Sequence, residues 1–132
     1  MVDGLSNFCR FIPLTQKTSS HIKEALFAQW ISYFDFPDWI LLDGKASFVL
    51  QEFKIYMKEH GIDLKISGSY AHFQNGKAER MNRYLGEQLK VMKQIESGSC
   101  LNHLSFISMS HNGNWVRHLK MSPYHSSVPC WL

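Results

Sequence analysis

Ser69-Tyr70-Ala71-His72-Phe73-Gln74-Asn75-Gly76-Lys77-Ala78-Glu79-Arg80-Met81-Asn82-Arg83 is a polar loop that runs into the start of a helix. The Asn75-Gly76 pair punctuates the chain, and a helical pattern follows over about 76–95. At 100° per residue from Glu79, Arg83, Gly86, Lys90 and Lys93 fall on one face, while Met81, Tyr84, Leu85, Leu89 and Met92 fall on the opposite one. The apolar stripe gives the helix a reason to dock. The polar face combines one acid, three cations and a glycine that permits close approach, as a phosphodiester backbone with bound metal requires, although a solvated charged face has the same composition.

Working outward, Ile62-Asp63-Leu64-Lys65-Ile66 alternates strictly and predicts an edge strand buried on one face, with its charges outward. Before it, a helix over about 46–60 turns Val49, Phe53, Tyr56 and Met57 inward and stops at Gly61. Trp39-Ile40-Leu41-Leu42 is a continuous apolar run, the pattern of a strand buried on both faces, and Asp43 follows at its C-terminal end. Open α/β sheets place their ligands there. Earlier still, the Thr18-Ser19-Ser20 cluster caps a helix whose inward face is Ile22, Leu26, Phe27, Trp30, Ile31 and Phe34, terminated by Pro37. Residues 8–14 read as a strand with Pro13 at its end or at a sheet edge. Downstream there is a weaker helix near 101–111 and then an irregular stretch with Pro123 and Pro129. Short apolar runs alternating with helical stripes argue for an α/β domain.

Composition agrees with one globular domain: 132 residues, 45% hydrophobic and 14% aromatic. No apolar run is long enough to span a membrane, and Asp3 and Arg10 interrupt the place of a signal peptide, so a soluble chain with no membrane association is expected. Cys9, Cys100 and Cys130 are dispersed and odd in number, which suggests neither disulfides nor a zinc knuckle and fits a reducing, intracellular setting. His111, His118 and His125 recur every seven residues, but the Asn112-Gly113 break and Pro123 prevent one helix from aligning them as metal ligands. A formal charge of +3 permits a polyanionic partner without demanding one.

Asp43 and Glu79, with thirty-five residues between them, stand out by position. Eleven acids in the chain generate many such pairs, so spacing alone would not single them out. The surrounding residues do. The 69–83 segment resembles the loop and helix start of gypsy-type retrotransposon and retroviral integrases, Y-x-P-x-x-[ND]-G-x-x-E-R-x-N-R, with matches at Tyr70, Asn75, Gly76, Glu79, Arg80, Asn82 and Arg83 and a departure at His72, where the pattern has proline. Residues 42–48 resemble the family's S-D-x-G-x-x-F block at Asp43 and Phe48, with Lys45 at the glycine position and Gly44 one place early. The interval between the two acids equals that between the family's second and third acids. Val2-Asp3-Gly4-Leu5-Ser6-Asn7-Phe8 resembles V-D-x-F-S-K-[YF], Ile12-Pro13-Leu14 resembles part of F-I-P-L, and Asn112 and Ser122-Pro123 echo later blocks. Coverage is about 1–125, leaving 126–132 as an irregular tail.

The resemblance implies an RNase H-like mixed sheet flanked by helices, and DNA integration by metal-dependent polynucleotidyl transfer. Three acids hold two divalent cations there, which activate the attacking water or 3′-hydroxyl and stabilise the leaving oxygen. Hard oxygen ligands suit Mg2+ or Mn2+. Carboxylates about 4 Å apart repel by about 4 kcal/mol at an effective dielectric near 20, so the ions also neutralise their own site. Asp43 and Glu79 are the implied ligands. Tyr70 and Asn75 are expected at the DNA end, and Lys77, Arg80, Arg83, Lys90 and Lys93 on phosphates. By the same resemblance Asp3 is a strand-end or turn residue, and the first acid lies on an earlier, central strand expected before Met1. The 132 residues are then a partial core, expected to be inactive alone, homo-oligomeric in the intact family and nuclear if functional. A non-catalytic nucleic-acid-binding or self-associating remnant is the alternative.

Overall fold

The computed structural model describes residues 1–43, 50–67, 76–95 and 99–127. It divides into two compact units, residues 13–76 and residues 1–12 with 77–132.

In the 13–76 unit, Thr18 adopts an extended backbone and its hydroxyl accepts from the His21 N–H, capping α1 (Ser19–Leu26). A π-helical turn, Phe27–Ile31, and the short α2 (Ser32–Phe34) continue it. The expected apolar face is therefore not continuous: Leu26 and Ile31 are buried, but Phe27 is 49% exposed. Bonding i→i+5 brings residues five apart onto one face, which aligns Leu26 with Ile31 and turns Phe27 outward. The helix ends before Pro37, as predicted, with Asp35 in the left-handed region at φ 69°.

β1 (Trp39–Asp43), α3 (Leu50–Glu59) and β2 (Asp63–Ser67) form a βαβ unit, the strands parallel and registered from Trp39 against Asp63 to Asp43 against Ser67. Gly61, at φ 72°, closes α3: its N–H bonds to the Lys58 carbonyl at 3.1 Å, and the Ile62 N–H to the Met57 carbonyl at 2.8 Å. This is the paired-bond C-cap that glycine favours, and it delivers Ile62 into the core. Leu26, Ile31, Phe53, Met57 and Ile62 are buried together, with Ile22, Trp30, Ile40, Leu42, Tyr56 and Leu64 packed around them. The expectation that β1 is buried on both faces is corrected: Trp39 is 48% exposed, and Ile40, Leu41 and Leu42 are half-buried. Among the described residues β1 pairs with β2 alone. On β2 the predicted alternation holds at Ile62 and Leu64 and fades at Ile66, which is exposed.

In the other unit, the strand expected over 8–14 reduces to an isolated antiparallel bridge, Val2 with Cys9. The bonds that would extend it go elsewhere. The Cys9 N–H donates to Asn112 Oδ1 at 2.9 Å, the Phe11 N–H donates to Ser108 Oγ at 3.1 Å, and Pro13 has no N–H. α4 (Gly76–Ile95) spans the predicted helix, and α5 (Leu104–Gly113) follows a 3-10 turn at Cys100–His103. The stretch expected to be irregular from Pro123 holds a short helix, α6 (Pro123–Ser127). Pro123 sits where a missing N–H is harmless, and Ser122 Oγ accepts from the His125 N–H at 3.4 Å. No helix among the described residues is long and apolar enough to cross a membrane.

Candidate functional site

α4 carries most of the candidate site. Glu79 lies in its first turn, where a carboxylate is favoured by the positive end of the helix dipole. Glu79, Arg80, Arg83, Gly86, Lys90 and Lys93 are all exposed, while Met81, Tyr84, Leu85, Leu89 and Met92 are half-buried. The two faces read from the sequence are thus the two faces of the helix. Tyr84 packs its ring against His111 of α5, centroids 5.4 Å apart.

Lys77 differs from the other cations. Its Nζ donates to the Gly4 carbonyl in the N-terminal turn. That turn is organised by Asp3, whose Oδ2 accepts from the Leu5 N–H at 3.1 Å, the Ser6 N–H at 2.5 Å and Ser6 Oγ at 2.6 Å. Partial desolvation pushes the Asp3 carboxyl upward, but the Ser6 and Leu5 hydrogen bonds and the Lys77 charge outweigh it and hold the group below its ordinary range. Asp3 is a turn residue, as the alignment of its segment implies.

Asp43 ends β1 opposite Ser67 of β2, so its backbone stands at the C-terminal edge of the parallel pair. Its side chain, with Tyr70 and Asn75, lies outside the described residues. Glu79 and the α4 cations belong to one unit and Asp43 to the other. Among the described residues no three His, Cys, Asp or Glu side chains converge on a point. Two of the three histidines spaced by seven have other engagements: His111 Nε2 lies 3.1 Å from the Asn7 carbonyl, and His125 Nδ1 lies 2.7 Å from Ser122 Oγ. A carboxylate such as that of Glu79 is a hard oxygen donor, of the kind that Mg2+ or Mn2+ takes.

One contact had no functional reading in the sequence. Asn112, on the inward face of α5, is buried with Cys9, and its Nδ2 donates to the Cys9 carbonyl at 2.8 Å. The signal was a lone amide in line with Leu104, Ile107 and His111, at spacings that place all four on one side of a helix.

No family profile matches the chain. Over 125 residues, 94% of the chain, it is 24% identical to the transposon Tf2-3 polyprotein of Schizosaccharomyces pombe, of which it spans 9%. Among solved structures, a chain of the simian T-cell lymphotropic virus intasome in complex with the PP2A regulatory subunit B56 gamma superposes with a TM-score of 0.83 at 22% identity, covering 99% of this chain and 48% of that one. The HTLV-2 integrase catalytic core domain, in a trimeric form in complex with magnesium, gives 0.77 at 21% identity, covering 96% of this chain and 81% of that one. The BIV integrase catalytic core domain gives 0.75 at 18% identity, with coverage of 96% and 81%. The mixed helix and strand architecture is that of these solved structures: this chain has the fold of a retroviral integrase catalytic core.

Proposed function

We propose that the chain is the catalytic-core portion, over residues 1–125, of a retrotransposon-type integrase, acting in DNA integration by metal-dependent polynucleotidyl transfer. The observation that carries the reading is the exposed face of α4, where Glu79 stands in line with Arg83, Lys90 and Lys93. At 1.5 Å per residue, Glu79 to Lys93 covers about 21 Å of helix axis, or about six nucleotide steps of a DNA strand. Cations along that length neutralise successive phosphates and release their counterions. Gly86 lies between them and leaves the backbone open to close approach, with nothing within 4 Å of where a side chain would begin. Arg80 flanks the face and extends the positive potential toward the helix start.

Asp43 and Glu79 are the residues that would hold Mg2+ or Mn2+, and the ion would supply charge neutralisation and activation of the attacking oxygen. Tyr70 and Asn75 are the residues expected at the DNA end. By the resemblance Asp43 and Glu79 are two of the family's three acids, and the chain is expected to bind DNA and divalent ions. The intact protein is expected to self-associate and to act in the nucleus; the HTLV-2 core is described in trimeric and dimeric forms.

Duplex binding followed by fluorescence anisotropy against salt tests the reading. The double variant Arg83→Glu, Lys90→Glu should weaken binding and flatten the log–log salt slope by about 0.9 per lost phosphate contact. Unchanged affinity and slope would reject this face as the DNA surface. DNA binding without any divalent-ion binding would favour the non-catalytic remnant.

A further inference from the structure

The geometry points to Lys77 as a positioning residue that clamps the start of α4, and with it Glu79, onto the Asp3–Ser6 turn, rather than a residue that contacts phosphate. Its sequence neighbourhood reads as part of a basic DNA-binding cluster, but its place on the helix differs from that of the other cations. Two residues before Glu79, at 100° per residue, Lys77 lies about 160° around α4 from it. That is the side of Met81, Tyr84 and Gln88, all half-buried. Arg83, Lys90 and Lys93 lie within about 40° of Glu79. A DNA strand lying on the Glu79 face has the helix between itself and the Lys77 stem.

The contacts give the same assignment. Lys77 Nζ donates to the Gly4 carbonyl, the centre of a turn whose N–H groups are already gathered by Asp3. One end of the turn therefore presents a carbonyl and a carboxylate toward the same ammonium, and Lys77 contributes to holding the Asp3 carboxyl in its charged form. The turn is itself fixed to the rest of its unit. Asn7, immediately after it, is in the left-handed region at φ 61°, and its carbonyl meets His111 Nε2. Tyr84, two turns along α4 from Lys77, packs on the same His111 ring. α4 is thus held at two heights, by Lys77 on Gly4 and by Tyr84 on His111, with its Glu79 face left exposed. No helix residue before Lys77 other than Gly76 is available to do this, because α4 begins there. Loss of the lower contact leaves the first turn, the segment that carries Glu79, free to fray, since helix ends open first.

The consequence for the proposed metal site rests on Glu79 being a ligand, whereas the clamp itself does not. The test uses the full 132-residue chain with Lys77→Met and Lys77→Arg. Three readouts separate the roles: the titration midpoint of the Asp3 side-chain carboxyl by NMR, hydrogen exchange of the backbone amides at 80–83, and the salt slope of duplex binding. Lys77→Met should raise the Asp3 midpoint and speed exchange at 80–83 severalfold, with the salt slope unchanged. Lys77→Arg should restore both. An unchanged Asp3 midpoint together with a slope reduced by about 0.9 would overturn the clamp and return Lys77 to the phosphate contacts. If the chain binds neither DNA nor metal, the integrase-type reading fails, while the Asp3 midpoint and the exchange rates still decide the clamp.

Discussion

Asn112 satisfies both backbone hydrogen-bonding groups of Cys9: its Oδ1 accepts from the Cys9 N–H at 2.9 Å and its Nδ2 donates to the Cys9 carbonyl at 2.8 Å. A side-chain amide reproduces the donor and acceptor that a neighbouring strand would offer, and it does so in a buried position. Truncation strands two buried backbone groups at once, each worth about 1–3 kcal/mol. Asn112→Ala should therefore lower unfolding free energy by about 2–4 kcal/mol, read from urea denaturation. Asn112→Asp should be at least as damaging, because it places a carboxylate against the Cys9 carbonyl. A loss under about 0.5 kcal/mol in both variants would contradict the account.

Cys9 itself is fully buried, and burial pushes its thiol up to about 11. The folded state prefers the neutral thiol, so the stabilising contribution is complete below the unfolded value near 8.5 and is lost as pH rises toward about 11. Unfolding free energy should fall across that alkaline window in the parent chain and fall less in Cys9→Ala. Equal alkaline slopes in the two proteins would show that the thiol does not sense folding.

Asp3 works in the opposite direction. Its folded carboxyl is held below the unfolded value by the Ser6 and Leu5 bonds and by Lys77, after desolvation has been outweighed. Its contribution is present above the unfolded pKa of about 3.9 and disappears as pH falls through the lower folded value. Asp3→Asn should flatten the acid limb of the stability curve, followed by circular dichroism between about pH 2 and 5. An identical acid limb would exclude Asp3 as the turn's organiser.

The outward face of α5 supplies a test of self-association. Phe106 and Met109 are 52% and 64% exposed, on the side opposite buried Ile107 and Asn112. Phe106 and Met109 are three residues apart and share one side of α5, so together they offer apolar surface that association would bury. Sedimentation velocity should show the parent chain associating and Phe106→Lys, Met109→Lys shifted toward monomer. Identical sedimentation would move the interface off α5.

The sequence made α4 fully legible because two independent patterns, an apolar stripe and a charged stripe, both fit the 3.6-residue period and both needed the same boundaries. Gly61 was equally readable, since a closing glycine after an apolar helical stripe has few other uses. Phe27 was misplaced because a π-turn changes the period inside an otherwise regular stripe, and no residue type announces it. The strand over 8–14 was misread for a different reason: its hydrogen bonds go to Ser108 and Asn112, about a hundred residues away, and strand patterning records burial rather than partner identity. Trp39 shows the same limit, because an apolar run states what a strand can bury and not how many neighbours cover it. On α4, the shared exposed face of Glu79, Arg83, Lys90 and Lys93 was legible from their spacing. Lys77 carries the same charge, but it stands on another side of α4 and bonds to the Gly4 carbonyl, a partner that charge does not announce.

Manganese titration of the 132-residue chain by calorimetry tests the central claim most directly. Parent protein should bind the ion, and Asp43→Asn and Glu79→Gln should each weaken binding by at least about tenfold, about 1.4 kcal/mol, with the fold retained by circular dichroism. Binding of equal strength by the parent and both variants would contradict the assignment of Asp43 and Glu79 as a metal pair, and with it the integrase-type chemistry proposed for this chain.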